Sequence, residues 1–422
     1  MAAKREIVIT GVGVVSPIGI GSEAFWTALA DGRSGVRPLD LFRMSDLPVP
    51  FGAVVDDFDP KQYVRPRKSL KVMSRDIQLG FAAADLACAQ AGLHDQPIDP
   101  DRLGIVFGAD LIHCELSELV NAYRGCIVDG KFEFRHWGQR AMTEMYPLWM
   151  LKYLPNMPAC HIGIAQDARG PNNSLTLGDV SSLSAVAEAI RVLERGHADA
   201  MIAGGTGSRI HPAYWIRGPI LNLSRRSDDP AAASRPFDAQ RDGTVNGEGA
   251  AAFLLETRQH AQARGASVLA CVLGCAGAFE PCRNGEVLRG RGIRQAISGA
   301  LRDAGLQAGD VGHVNANGSS TIFDDRIEAQ AIHDTLAEVP VTAPKSFFGN
   351  LGAGTGAVEM AVSVLALQKG YVPQTLNYQY PDPHCPVNVV HRHFLRINTP
   401  TALVLNHTNF GQAVAVVLAA AE

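Results

Sequence analysis

The stretch that decides the fold is Ser234-Arg235-Pro236-Phe237-Asp238-Ala239-Gln240-Arg241-Asp242-Gly243, which runs on into Gly247-Glu248-Gly249-Ala250. It has neither the alternating pattern of a strand nor the spacing of a helix. An apolar run at residues 250–255 follows it and predicts a strand. Another apolar run, at residues 198–204, precedes it and ends in a Gly-Gly turn. The stretch therefore lies between two predicted strands.

Strands and helices alternate on both sides of this loop. Other strands are predicted at residues 7–15, 103–108, 268–273, 311–316, 402–406 and 413–419. Helices are predicted at residues 77–91, 180–194, 292–304, 324–336 and 358–367. Residues 114–151 are less regular and rich in aromatic side chains, which indicates an insertion over a surface or a cleft. The pattern predicts an α/β protein with two similar halves, residues 1–256 and residues 257–422.

Composition excludes several classes of protein. Hydrophobic residues are 46% of the 422 and charged residues 19%, as in a globular protein with a sizeable core. The net charge of −4 gives no reason to expect nucleic acid. The longest uncharged apolar run, residues 268–279, is shorter than the roughly 20 residues of a membrane-spanning helix. The first residues show no apolar signal core, so we expect a cytoplasmic protein with no membrane partner.

The eight cysteines form no CxxC pair and no disulfide framework. His384-Cys385 and His391-x-His393 lie close together, but their spacing fits no closed structural zinc site. We therefore expect no bound metal.

Several strings together resemble the β-ketoacyl synthases, or ketosynthases, of fatty acid and polyketide synthesis, over essentially the whole chain. The Ser-Arg-Pro-Phe-Asp string is the most specific of them. The others are Val8-Ile9-Thr10-Gly11-Val12-Gly13, Ser16-Pro17-Ile18-Gly19, Gly170-Pro171-Asn172-Asn173-Ser174, Val314-Asn315-Ala316-Asn317-Gly318, Lys345-Ser346 and Asn409-Phe410-Gly411. The type II enzymes that act on acyl carrier protein are most similar.

The resemblance implies the thiolase fold, in which two βαβαβαββ halves form a five-layer α-β-α-β-α sandwich that is usually dimeric. It also implies acyl carrier protein as a partner. The phosphopantetheine arm of that carrier then brings the substrate, with no permanently bound cofactor.

Members of this family that condense acyl groups use one cysteine and two histidines. The resemblance places Asp179 at the cysteine position, in Leu177-Gly178-Asp179-Val180. It places Asn317 and Asn350 at the two histidine positions. A carboxylate is a poor nucleophile toward a thioester, and loss of a general acid or base alone lowers a rate by roughly 10²–10⁴-fold. We therefore expect ordinary decarboxylative condensation to be negligible.

Other functional positions of the family are retained. Lys345 and Glu328 match residues that orient the histidines, so they complete the predicted catalytic positions with Asp179, Asn317 and Asn350. Predicted substrate-binding residues are Ser319 and Thr321 along the phosphopantetheine arm, Phe410 as an aromatic gate, and Cys160 on the acyl pocket wall. The loop after Phe410 departs from the family pattern, as does Thr408.

Each of these residues also has an ordinary structural interpretation. Asp179 is well suited to cap a helix N-terminus, where a carboxylate accepts backbone N–H groups. The two asparagines are either inert replacements or donors to a bound carbonyl, and Lys345 and Glu328 could form a buried ion pair. Cys160, Ser181 and Ser182 are weaker candidates for a substitute nucleophile.

Several basic side chains leave open the possibility that an acyl carrier protein docks on them. Such residues are usually solvated, but carrier proteins are acidic. The candidates are Arg65, Arg67, Lys68, Arg217, Arg225 and Arg226.

Two functions remain in view. The first is a partner that resembles a chain-length factor: it does not condense, but pairs with an active ketosynthase and shapes the acyl tunnel. Those factors usually carry Gln at the cysteine position, whereas this chain carries Asp179. The alternative is an acyltransferase or a malonyl-carrier-protein decarboxylase with non-standard chemistry. A homodimer and a heterodimer with an active ketosynthase are both open.

Overall fold

The computed structural model describes residues 5–39, 49–217, 222–282 and 287–421. The strands of this part of the chain are β1 (Ile7–Ser16), β2 (Gly19–Ile20), β3 (Val36–Pro38), β4 (Phe51–Ala53), β5 (Leu103–Gly108), β6 (Ile127–Val128), β7 (Lys131–Phe132), β8 (Asn172–Leu175), β9 (Ala200–Ser208), β10 (Glu248–Thr257), β11 (Ala270–Phe279), β12 (His313–Asn315), β13 (Pro340–Thr342), β14 (Tyr371–Val372), β15 (Asn388–Val389), β16 (Leu395–Arg396), β17 (Thr401–His407) and β18 (Gln412–Ala420).

The helices are α1 (Ser22–Ala30), α2 (Arg75–Gln90), α3 (Leu116–Arg124), α4 (Trp137–Glu144), α5 (Met157–Ala165), α6 (Ser181–Glu194), α7 (Pro212–Arg217), α8 (Arg258–Ala263), α9 (Arg291–Ala304), α10 (Ile322–Leu336), α11 (Lys345–Phe348) and α12 (Thr355–Lys369). The five helices expected from the sequence are thus confirmed as α2, α6, α9, α10 and α12. Residues 114–151 hold the short elements α3, β6, β7 and α4.

Two sets of five strands repeat one pairing pattern. In the first set the order is β8-β5-β9-β10-β1, and in the second it is β13-β12-β17-β18-β11. In each set the first three strands pair in parallel. The fourth strand pairs antiparallel with the third, and the fifth pairs antiparallel with the fourth. The sets join where Ile7–Ile9 of β1 pairs with Ala270–Val272 of β11. The expected two similar halves are confirmed, while their boundary at residues 256 and 257 stays a prediction.

The helices form three layers around these two sets of strands. Helices α6 and α12 share one core with the inner faces of both sets. Helix α2 packs with α5 on the outer face of the first set, and α9 packs with α10 on the outer face of the second. The result is the five-layer thiolase fold that the resemblance implies.

The central helices are built for burial on every side. Thr355 through Leu367 of α12 are all buried, and α6 is buried over most of its length. Such a helix needs apolar or small residues around its whole circumference. Both helices begin at the same edge of the molecule, which brings the two turns before them together.

Glycines at the end of β9 let these turns approach the sheet. A Cβ at Gly207 would lie 2.3 Å from the backbone oxygen of Leu351, and one at Gly205 would lie 2.5 Å from Cβ of Ser182. Any larger residue would push the starts of α6 and α12 away from the strand. The close packing places Arg209, just beyond β9, beside both turns.

Candidate functional site

Asp179 lies in a 3₁₀ turn, Gly178–Val180, immediately before α6. Its carboxylate accepts hydrogen bonds from two side chains of other segments. Arg209 binds Oδ1 as an ion pair, and Asn350 Nδ2 donates to Oδ2 over 3.0 Å. Asp179 does not cap α6, because no side chain caps that helix. The helix-cap interpretation of Asp179 is therefore wrong, and its side chain faces a cavity instead.

Arg209 is held firmly in this ion pair. Its guanidinium also lies over the ring of Tyr214, with 5.4 Å from the central carbon to the ring centroid. Burial lowers the pKa of Arg209, but Asp179, Tyr214 and Asp110 together outweigh burial and raise the pKa above its usual value. The guanidinium is therefore permanently charged, and it neutralises the carboxylate at the start of α6.

Asn350 organises the turn before α12. Its Oδ1 accepts from the backbone N–H of Gly352 over 2.9 Å and from the hydroxyl of Thr355 over 3.2 Å. Its Nδ2 is the donor to Asp179 described above. Both ends of the Asn350 amide are thus engaged, and they link the beginnings of the two central helices.

Asn317 belongs to a second, more deeply buried cluster. Lys345 Nζ donates to the backbone oxygen of Asn317 over 2.5 Å, to its Oδ1 over 2.9 Å, and to Glu359 over 2.7 Å. Asn406 bridges the same Oδ1 and the other oxygen of Glu359. Burial raises the pKa of Glu359, although the charge of Lys345 opposes this. The expected pair of Lys345 with Glu328 is wrong, since all three ammonium hydrogens are directed to Asn317 and Glu359.

Glu328 has a different task. Its two oxygens accept the backbone N–H groups of Asn317 and Gly318 over 2.7 and 2.8 Å, which fixes that loop. The Nε2 atom of His407 lies 3.6 Å from Oε2 of Glu328 and 3.4 Å from Nδ2 of Asn317. Burial lowers the pKa of His407, but the carboxylates of Glu328 and Asp324 together outweigh burial, so the pKa is raised.

A cavity of about 400 Å³ unites most of the predicted site residues. The residues that line it are Asp110, Leu177, Gly178, Asp179, Arg209, Tyr214, Trp215, Asn222, Leu223, Thr244, Asn246, Asn317, Ser319, Thr321, Asp324, Asn350, His407, Thr408, Asn409, Phe410 and Gln412. None of these lining residues is a cysteine. The cavity wall is rich in amides and hydroxyls, so it can form hydrogen bonds with a polar ligand.

Hydroxyls and one aromatic ring surround the cavity near Asp324. Ser319 Oγ lies 3.1 Å from Thr321 Oγ1 and donates to Asp325 over 3.1 Å, while Thr321 caps α10. The ring of Phe410 is 75% exposed. The ring is therefore accessible from solvent, while its role as a gate stays a prediction.

The remaining candidates lie elsewhere. Cys160 is on α5, outside the residues that line the cavity, and its assignment to an acyl pocket stays a prediction. Ser181 donates to Gly178 and accepts from Leu177, so its hydroxyl closes the turn around Asp179. Ser182 accepts from the backbone of Ala357. Both serines are fully buried in structural roles.

The basic residues considered for carrier docking and the residues considered as metal ligands gain no further support from the structure. Arg65 bonds to its own backbone segment and Arg226 to the backbone of Gln240, while the side chain of Arg217 lies outside the described residues. In the described ranges, no group of three His, Cys, Asp or Glu residues is arranged to hold a metal ion. No helix among them is both long enough and apolar enough to cross a membrane.

Sequence inspection missed two prominent residues of the site, Arg209 and His407. Arg209 has no motif of its own, and only its position after the glycine-rich end of β9 could have suggested a role. His407 precedes Asn409-Phe410-Gly411, a string already recognised, so a histidine in that altered loop was the available signal.

Comparisons with known proteins identify the family of the chain. The model of the β-ketoacyl synthase N-terminal domain matches residues 4–261, and that of the C-terminal domain matches residues 269–379. A 3-oxoacyl-[acyl-carrier-protein] synthase 2 from Synechocystis is 33% identical over 92% of this chain and 91% of its own.

Two solved structures are similar over 100% of both chains. The ishigamide ketosynthase/chain length factor has a TM-score of 0.87 at 25% identity. A chain of the solved AntDE:AntF complex, a type II PKS acyl-carrier protein in complex with its ketosynthase bound to the hexaketide, has a TM-score of 0.82 at 26% identity.

Proposed function

The chain belongs to the β-ketoacyl synthase family of fatty acid and polyketide biosynthesis, and from that premise we propose that it is a member that does not condense acyl groups. In this proposal it binds the acyl carrier protein and pairs with an active ketosynthase, in the manner of a chain-length factor. Its own cavity holds a carrier-borne thioester without becoming acylated.

The ion pair of Asp179 with Arg209 carries this proposal. A condensing enzyme needs a thiolate at the start of the central helix, where the helix dipole favours a negative charge. Here a carboxylate takes that place, and its charge is already neutralised by a guanidinium and an amide. Attack by this carboxylate on a thioester would break the ion pair and would form a mixed anhydride, which is less stable than the thioester. Acyl transfer to Asp179 is therefore unfavourable in the attack, which breaks the ion pair, and in the product, which is the less stable anhydride.

The asparagines support the same conclusion. A histidine accepts or donates a proton in the pH range of the cell, whereas an amide does neither. Asn350 is occupied by the α12 turn and by Asp179, and Asn317 by Lys345 and Asn406. These positions can still orient a bound carbonyl through an amide hydrogen. They supply no proton transfer, which the condensation step requires.

The cavity mouth supports a role for the carrier. Ser319, Thr321 and the exposed Phe410 all line the cavity. Alternating amide and methylene groups of a phosphopantetheine arm suit such a mixed wall. The similar solved complex of a ketosynthase with its acyl-carrier protein makes this partner the natural choice.

Exposed apolar side chains support the pairing with a second subunit. The insertion at residues 114–151 exposes Phe134 by 73%, Met142 by 86% and Met150 by 58%. Exposed apolar patches of this kind mark interaction sites in soluble proteins. Because the ishigamide ketosynthase/chain length factor is similar along its full length, we propose a heterodimer with an active ketosynthase in preference to a homodimer.

Native mass spectrometry tests the pairing. The chain is produced alone and together with an intact Cys-His-His ketosynthase. We expect a one-to-one complex in the second preparation, lost when Met142 is changed to lysine. The matched control is Tyr371→Lys, which alters an exposed ring on β14 and should leave the complex intact. A homodimer that persists when the ketosynthase is present would contradict the partner role.

The alternative function has a separate readout. If the protein were an acyltransferase or a decarboxylase of malonyl-carrier protein, the carrier would change mass during incubation with this chain alone. The ion pair at Asp179 argues against acyl transfer, and the same mass spectra reveal a loss of carbon dioxide directly.

A further inference from the structure

Asn246 is a buried residue in the cavity wall, and the proposed function above makes no use of it. Only 2% of its surface is exposed, yet it lines the cavity. Neither its side-chain oxygen nor its side-chain nitrogen has a hydrogen-bond partner among the described residues. A buried amide without partners bears the cost of its lost hydration. Such a group in a cavity wall calls for an explanation, and a bound ligand supplies one.

The backbone around Asn246 turns its side chain toward the cavity. Residues 244–247 are bridged to neighbouring segments, and in such extended backbone alternate residues face opposite sides. Val245 packs into an apolar cluster that includes Ala53, and a Cβ at Gly247 would lie 3.3 Å from Cβ of Ala53. These two residues therefore share one side of the segment. Thr244 and Asn246 share the other side, and both line the cavity.

A backbone bridge places Asn246 beside Asn350. Val245 accepts from the N–H of Asn350 over 2.8 Å, and Gly247 donates to the carbonyl of Asn350 over 2.9 Å. Paired residues direct their side chains to the same side, and paired strands lie roughly 4.8 Å apart. The side chain of Asn350 reaches Asp179. The amide of Asn246 is therefore the next polar group along the wall from the amide that holds Asp179.

The unpaired amide of Asn246 can both donate and accept a hydrogen bond. Its oxygen and one of its N–H hydrogens lie on the same edge, whichever way the amide is turned. A hydroxyl group satisfies both atoms, because it donates to the oxygen and accepts from the N–H group. A ketone or a carboxylate only accepts, so it would leave the amide oxygen unpaired. A methylene group would leave both atoms unpaired.

The charges of the cavity wall favour a neutral ligand. The lining residues include three carboxylates and one guanidinium: Asp110, Asp179, Asp324 and Arg209. The guanidinium is already paired with Asp179. An anionic group on the acyl chain, such as a malonyl carboxylate, would be repelled by the remaining carboxylates, whereas a hydroxyl carries no charge.

We propose that Asn246 recognises a hydroxyl group on the acyl chain of a carrier-borne thioester, at the third carbon when the carbonyl carbon is counted as the first. A thioester carbonyl held beside Asn350 brings this carbon, two bonds further along the chain, within reach of the next amide on the wall. The cavity therefore favours a 3-hydroxyacyl chain over the saturated chain of the same length. No covalent step is involved. This inference deepens the proposed function and rests on it.

Calorimetric titration with S-butyryl-pantetheine and with each enantiomer of S-(3-hydroxybutyryl)-pantetheine tests the assignment. We expect the wild type to bind one hydroxylated probe about tenfold more tightly than the butyryl probe, because the butyryl chain leaves the buried amide unpaired. Asn246→Leu has a similar volume and no polar side-chain atoms, so it should show no such preference. If leucine is not tolerated at this buried position, Asn246→Ala provides the same test. The matched control is Asn388→Leu, which changes an exposed asparagine on β15 and should keep the preference.

The outcomes separate this assignment from the proposed function. A preference for the hydroxyl in the wild type that is lost on substitution of Asn246 supports the assignment. Equal affinities of the wild type for the three probes, or a preference that survives the substitution, overturn the assignment but leave the proposed function standing. Tighter binding of S-acetoacetyl-pantetheine than of either hydroxylated probe also overturns it. Failure of the wild type to bind any of these thioesters overturns both.

Discussion

The two central helices begin in the same way, yet the polar residue before each has a different use. Asn350, before α12, accepts hydrogen bonds within its own turn, where Gly352 and Thr355 donate to its side-chain oxygen. Asp179, before α6, makes no bond to its own helix and directs both oxygens to Arg209 and Asn350. The turn around Asp179 is closed instead by Ser181.

This difference shows where function can be placed in a repeated fold. A turn that is held by the backbone and a neighbouring serine leaves one side chain free for the cavity. In the half that contains α6 this free side chain is Asp179. In the other half, Lys345 lies behind the turn in a buried network, and His407 lies between that network and the cavity.

Asp179→Cys has the largest expected effect, because it restores a thiol at the start of α6. Incubation with acyl-carrier protein should add one acyl group to the chain, which intact-mass spectrometry detects. Condensation with malonyl-carrier protein should stay negligible, since neither asparagine can transfer a proton. Asp179→Asn is the matched control and should remain unmodified. Rapid condensation by Asp179→Cys would show that the amides suffice for catalysis.

Lys345→Met breaks the buried network of the second half. The ion pair of Lys345 with Glu359 is almost inaccessible, with 1% and 0% of the two side chains exposed. Removing one partner of such a pair typically costs about 3–5 kcal/mol of unfolding free energy. Lys369→Met, which removes an exposed pair with Glu23, should cost below about 1 kcal/mol. Equal losses in chemical denaturation would contradict the importance of this network.

Arg209→Leu tests the corresponding pair of the first half. The side chains of Arg209 and Asp179 are 17% and 18% exposed, so water screens them partly. We expect a loss of roughly 2–3 kcal/mol, smaller than for Lys345→Met. The double variant Asp179→Leu with Arg209→Leu should recover most of it, because no uncompensated charge remains. A double variant less stable than Arg209→Leu would mean that the pair does not act as a unit.

A smaller effect concerns the pH dependence of stability. The folded pKa of His407 is raised above its ordinary value, because the carboxylates of Glu328 and Asp324 together outweigh burial. Stability from this histidine is therefore fully present below about pH 6.5 and is lost as the pH rises through the folded pKa. Melting temperatures from pH 5.5 to 8.5 should fall less steeply for His407→Gln than for the wild type. A parallel profile for His407→Gln would assign the slope to other groups.

The alternation of strands and helices was predictable from apolar spacing alone. This prediction missed helices in which apolar and polar residues do not alternate at helical spacing. Helix α5 is apolar along most of its length and shows no helical stripe; its sequence is Met-Pro-Ala-Cys-His-Ile-Gly-Ile-Ala. Helix α1 is only nine residues long and was missed for lack of length. Both helices are short segments, which tertiary packing stabilises more than local pattern does.

The sequence indicated which positions form the site, but not which side chains bind one another there. Motif spacing indicated Asp179, Asn317 and Asn350, and the fold brings them to one cavity. Lys345 could have paired with Glu328 or Glu359, since both lie on buried helices, and only the packing of α12 selects Glu359. Arg209 lies 30 residues from Asp179 in the chain, so their contact depends on β9 and its glycines.

The most direct test of the central claim is intact-mass spectrometry of the purified protein mixed with acyl- and malonyl-carrier protein. If the Asp179–Arg209 pair has replaced the nucleophile, the chain keeps its own mass and no elongated acyl-carrier protein appears. An acyl adduct on the wild-type chain, or an elongated product, would contradict the account, and the site of the adduct would identify the group that acts in place of the missing thiol.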